Sequence, residues 1–170
     1  MSILEQHQYH GAAALYLWTE LSDQVPNAHF HFAKGVSRSS YILTGIVPKT
    51  LGKGRTIRAG VFVKYSTKRL TPWRYSFKLA DQEEIQQLHN TYGEVFVVLV
   101  NGDDGIACLD FNNLKVILDE HHEEQEWVSI SRKPRQNYRV AGNDGSHERP
   151  LPMNSYPQVV VDYFKKQLNL

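Results

Sequence analysis

The stretch EVFVVLV, Glu94 to Val100, constrains the fold more than any other part of this chain. Successive side chains of a strand point to opposite faces, so an apolar strand of this kind is stable only when both faces are covered. A sheet with layers on both sides is therefore required. The run is far too short to cross a membrane. The 170 residues suffice for one domain with a substantial core.

The flanking patterns supply the layers. Residues 1–10 read as a loose, flexible tail. Gly11 to Gln24 reads as a helix with Ala14, Trp18, Leu21 and Val25 on one face, ended by Pro26. Ser39 to Gly45 reads as a strand, followed by a glycine-punctuated loop. In GVFVKYSTKRLTPWRYSFK, Val61, Val63 and Tyr65 alternate with Phe62 and Lys64. After the turn at Pro72, Trp73, Tyr75 and Phe77 alternate with Arg74 and Lys78. This pattern predicts a β-hairpin with an aromatic face and a basic face. Asp81 and Glu84 form a capping-box pattern for a helix bearing Ile85, Leu88 and Tyr92 and stopped by Gly93. The turn NGDDG joins the apolar strand to IACLDF, and Asn112 or Asn113 starts a short helix. EWVSISR and NYRVAG are further strands. GNDGSHERPLPMN tethers a last helix with Val160, Phe164 and Leu168 on one face. The expected fold is α+β or mixed α/β. It is a single domain over 1–170, with a central sheet of about five to seven strands, the basic hairpin among them, flanked by about three to four helices.

The net charge is only +1, but its distribution is uneven. From Gln24 to Ala80 there is no Asp or Glu, against eleven Lys and Arg. Asp81 to Glu126 then holds twelve acids and one base, Lys115. Such asymmetry points to an anionic partner for one face or to pairing between the segments. The first outcome makes Lys53, Arg55, Arg58, Lys64, Lys68, Arg69, Arg74 and Lys78 a nucleic-acid-binding set, with Arg38 adding to the field. Their contacts would be mainly to phosphate. Trp73, Tyr75 and Phe77 are expected to face the core, which leaves Phe62 as the better candidate for stacking on a base. The glycine loop LGKGR suits a backbone-phosphate contact, although it lacks the full phosphate-loop spacing.

Other chemistries have thinner support. His29 and His31 share a strand face, and His121, His122, Glu123 and Glu124 are metal-ligand types. No second half with diagnostic spacing joins either group, so no metal site is expected from them. The single Cys108 reads as a small buried hydrophobe. It excludes an intramolecular disulfide framework and fits a reducing, cytoplasmic setting. The N-terminus has Glu5 ahead of its apolar part and does not read as a signal peptide.

The order helix, strand, hairpin, helix, strand over Gly11 to Asp110 resembles the core of the restriction-endonuclease-like PD-(D/E)XK nuclease superfamily. The family carries an acid on its second core strand and an E-x-K on its third, which hold Mg²⁺ and activate water. That motif is not matched here. Lys64 or Lys78 stands in for the lysine by position only, and Glu20 with Asp103, Asp104 or Asp110 would have to supply the metal ligands. The resemblance implies a nuclease-like binder without activity or, alternatively, a divalent-metal-dependent nuclease needing Mg²⁺. A third expectation is a protein-interaction or homo-oligomeric assembly module with complementary basic and acidic faces.

Overall fold

The computed structural model describes every residue except Met1, Ser2 and Gly52. EVFVVLV behaves as its composition requires. Val95–Asn101 forms a strand in which all seven residues are buried. It lies in a five-stranded sheet built from β1 (His29–Lys34), β2 (Ser40–Val47), β3 (Arg55–Ser66), β5 (Val95–Asn101) and β6 (Gly105–Asp110). Their spatial order is β1-β2-β3-β5-β6. The first three strands form an antiparallel meander, β5 runs parallel to β3, and β6 returns antiparallel to β5.

Both faces of β5 are covered, by different layers. Phe96, Val98 and Val100 pack with Leu17 and Leu21 of α1 (Glu5–Gln24) and with Val160 and Phe164 of α4 (Ser155–Leu168). Val95, Val97 and Leu99 pack with Ile85 and Leu88 of α2 (Leu79–Tyr92) and Leu114 of α3 (Phe111–Lys115). A second sheet joins this layer, formed by β4 (Trp73–Lys78), β7 (Gln125–Ser131) and β8 (Arg139–Gly142) in the order β4-β7-β8. The protein is therefore mixed α/β, with four α-helices and eight strands among the described residues.

The basic hairpin does not form. β3 pairs with β2 on one edge and with β5 on the other, and β4 pairs with β7 in the second sheet. A strand has two hydrogen-bonding edges. Once the distant β5 occupies the second edge of β3, the next segment must pair elsewhere. The aromatic alternation on β4 is as expected, since Trp73, Tyr75 and Phe77 are buried and Arg74, Ser76 and Lys78 exposed.

Other elements differ from the sequence pattern in instructive ways. α1 begins at Glu5 and takes in most of the segment read as a tail, while Met1 and Ser2 lie outside the described residues. Tertiary contacts order this first turn and a half. Tyr9 stacks on Tyr65 with ring centroids 4.8 Å apart, and buried His10 has its Nδ1 2.8 Å from the Tyr41 hydroxyl. The buried stripe of α1 is His10, Ala13, Leu17 and Leu21, so Trp18 sits on the surface, 48 % exposed. α2 starts at Leu79, and Asp81 is its third residue. The Asp81 carboxylate accepts the Lys78 backbone N–H at 3.0 Å, the reciprocal half of a capping box. Gly93 ends this helix at φ 82°, a left-handed conformation that glycine adopts without strain.

Candidate anion-binding cleft

Three segments bring cations to one place. The first is the loop between β1 and β2. Gly35 is obligatory there, because a Cβ would lie 2.1 Å from the Ser40 hydroxyl. Glu84 of α2 holds the loop from within. Its carboxylate accepts the Ser37 N–H at 3.0 Å and a hydrogen bond from the Ser40 hydroxyl. The Val63 N–H donates to the Ser39 carbonyl at 2.8 Å, and Gln6 of α1 donates to the Arg38 carbonyl at 2.7 Å. The backbone around Arg38 is thus tied to α1, α2 and β3 while its side chain stays exposed.

The second cation is Lys64, near the end of β3. Its ammonium is 2.8 Å from Asp81 and 5.0 Å from the Phe77 ring centroid. Asp81 therefore serves both as helix cap and as counter-ion. Lys64 is half-buried beside two aromatic rings, a setting that needs such a partner. The third cation is Arg74 on β4, exposed, with its guanidinium carbon 5.7 Å from the Trp127 ring centroid.

Arg38, Lys64 and Arg74 line one cavity of about 250 Å³, together with His10, Tyr65 and Tyr75. An adjoining hollow of about 500 Å³ shares Gln6 and Arg38 with it and adds Lys34, His7 and Tyr41. Neither lining contains an Asp or Glu. Burial, helped by the nearby His7, pushes His10 below the ordinary histidine range. At neutral pH it offers the cleft hydrogen bonding, not charge.

The remaining basic residues disperse. β3 is twelve residues long, so its ends lie roughly 40 Å apart. Arg58 lies toward the far end, in a hollow shared with Glu94 and Lys166. Arg55 lies against the Asn169 side-chain amide after α4. Lys53 is exposed in the loop before β3, while Gly52 of the LGKGR loop is outside the described residues. Lys68 donates to the Pro72 carbonyl at 2.9 Å within its own turn. Arg69 lines a separate small cavity beside Asp104 and Arg132. Lys78 is exposed at the end of β4.

Internal pairing does not consume these charges. Of the eleven cations in the acid-free segment, Lys64 alone forms an ion pair with a carboxylate among the described residues. The acidic segment is directed mostly at itself, at backbone groups and at Arg132. Asp104 binds Arg132 through both carboxylate oxygens and accepts the Tyr138 hydroxyl at 3.0 Å. Asp110 caps α3, accepting the Asn113 N–H at 2.8 Å. Asp103 is exposed in the β5–β6 turn, and Glu20 on α1 accepts from Gln24 at 2.9 Å. Asp104 immediately precedes the six-residue β6 and Asp110 ends it, so the two stand roughly 20 Å apart. These carboxylates do not converge. No group of three or more His, Cys, Asp or Glu is placed to hold a metal ion among the described residues. His29 and His31 are both exposed on β1.

Phe62 is fully buried in the core and offers no ring to a ligand. It shares a strand face with Lys64, and that face is roofed by the second sheet, which local alternation cannot reveal. Sequence reasoning passed over Gln6, His10 and Trp127. The i, i+4 spacing of Gln6 and His10 was a usable sign that the first helix starts well before Gly11. Trp127, alternating with Val128 and Ile130, was legible as an outward-facing aromatic.

Comparison with family models, curated proteins and solved structures found no match for this chain. No helix among the described residues is long and apolar enough to cross a membrane.

Proposed function

We propose that this chain binds nucleic acid, with the phosphate backbone seated in the cleft between the start of α1, the Arg38 loop and the β3–β4 crossing. One observation carries the reading: cations from three separate segments meet on a surface that no carboxylate lines. Two of them, Arg38 and Arg74, have no carboxylate partner among the described residues and are exposed to water. Their planar guanidinium groups suit phosphate oxygens. Lys64, already paired, contributes shape and part of the field. Recognition of this kind reads backbone and charge more than base sequence.

Binding without cleavage is the better supported form. If β3 corresponds to the E-x-K strand of the PD-(D/E)XK family, Phe62 occupies the position of the acid, and Ser40 faces it across β2. Glu20, Asp103, Asp104 and Asp110 form no cluster of three ligands that could hold one Mg²⁺ among the described residues.

Fluorescence anisotropy with labelled DNA and RNA over a salt series tests the proposal. Arg38→Ala and Arg74→Ala are each expected to weaken binding and to lower the log–log salt slope by roughly 0.7 to 0.9. Lys53→Ala, remote from the cleft, is expected to leave both unchanged. Absence of binding to any nucleic acid at low salt would overturn the proposal.

A further inference from the structure

The outer face of the three-stranded sheet carries a second feature, continuous with the cleft through Arg74. Alternation turns Trp73, Tyr75, Val128, Ile130 and Val140 into the core. It turns Arg74, Lys78, Trp127 and Arg139 outward, all of them exposed. The only carboxylate within these strands, Glu126, points inward and is buried. The open face is therefore cationic, with one aromatic ring in its middle strand.

Trp127 is 41 % exposed, whereas the other aromatic residues of the sheet are 3 % exposed or less. Its cross-strand partner is Ser76, and Arg74 faces Ser129. With small neighbours across the strand, the indole stays partly open to water, and the Arg74 guanidinium carbon lies 5.7 Å from its ring centroid. The backbone beneath is fixed, since the Trp127 N–H donates to the Asn143 side chain at 2.9 Å, just beyond the end of β8. A ring held in place, open to water and next to a phosphate-seeking cation suits one occupant: an unpaired base with its own phosphate. Paired bases in a duplex hide their faces from such a ring, while a single strand presents them.

We infer that the nucleic acid bound here is single-stranded, with a base stacked on Trp127 and the adjoining phosphate on Arg74 leading into the cleft. The inference rests on the nucleic-acid reading above and adds to it the strandedness and the stacking residue.

The test uses the full chain and three probes: oligodeoxythymidine, oligouridine and a blunt DNA duplex. Trp127→Ala is expected to weaken binding of a single strand by roughly 5- to 150-fold. The salt slope should not change, because no charge is removed, and duplex affinity should hold. Trp127→Phe, which keeps a ring and spares the fold, should recover much of the loss. Tryptophan fluorescence should be quenched when wild type is titrated with either single strand, and the quench should vanish in Trp127→Phe. Wild-type single-strand affinity in Trp127→Ala, with Arg38→Ala still impaired, would overturn the stacking inference alone. So would a quench that persists in Trp127→Phe, or an equal loss for duplex and single strand. Failure of wild type to bind all three probes would overturn this inference and the nucleic-acid reading together.

Discussion

The two sheets treat their basic residues differently. Around β3 and β5 the five-stranded sheet is covered on both faces, so Lys64 is drawn beneath a roof and held by Asp81. The three-stranded sheet is covered on one face only. Arg74, Lys78 and Arg139 therefore remain in water on the face that carries an exposed tryptophan. The same alternation of basic and aromatic residues produces a structural cation in one sheet and an available one in the other. What separates them is the number of layers above the strand, not the local sequence.

The comparison can be broken most sharply through the two tryptophans that flank it. Trp73 is buried, and its indole N–H donates to the Lys68 carbonyl at 2.9 Å. Trp73→Ala is expected to cost about 3–5 kcal/mol in denaturant melts. Trp127→Ala, on the open face, should cost no more than about 1 kcal/mol. Equal losses would mean that the outer face is not open.

Asp81→Ala sharpens the other half. It strips Lys64 of its counter-ion and removes the cap contact to Lys78, for an expected loss of about 1–3 kcal/mol. Adding Lys64→Met should recover part of it, because an unpaired half-buried charge is worse than an apolar stem. A strictly additive double variant would argue that the pair contributes nothing as a pair.

Glu126 gives a pH-dependent effect. It points into the core opposite Phe77, and neither carboxylate oxygen has a hydrogen-bond partner among the described residues. Burial holds its carboxyl above the ordinary 4.5, the neighbouring Gln82 amide opposes this, and Asp144, Glu123 and Asp119 add to the upward shift. With the folded value raised, the native state keeps a proton that the unfolded chain has released, so this group lowers stability as pH rises above 4.5. Glu126→Gln should therefore melt at a higher temperature than wild type near neutral pH, with the two curves converging toward about pH 4. A constant difference across that range would count against this account. The smallest effect is expected from Arg139→Ala, within about 0.5 kcal/mol in stability, since the side chain is exposed on the open face.

Much of the fold was legible in the sequence because its signals are local. EVFVVLV, the Gly93 stop and the β4 alternation all reflect the chemistry of neighbouring residues. The candidate cleft was legible only in part. Lys64 and Arg74 were marked by the acid-free run, and so was Arg38. Their convergence depends on Glu84 holding the Arg38 loop and on Asp81 reaching Lys64, contacts spanning 47 and 17 residues for Ser37–Glu84 and Lys64–Asp81. The dispersal of Lys53, Arg55 and Arg58 was invisible for a related reason. Sequence proximity says nothing about which end of a long strand a side chain occupies relative to a site.

The sequence by itself determined that this chain is α+β or mixed α/β, that one strand lies between two layers, and that a long basic segment carries no acid of its own to pair with. Tertiary structure decided where those charges go. β5 took the free edge of β3, which forced β4 into a separate sheet with one face open to water. A strand's two edges and two faces are filled by whichever segments fold against them, and those segments lie far away along the chain.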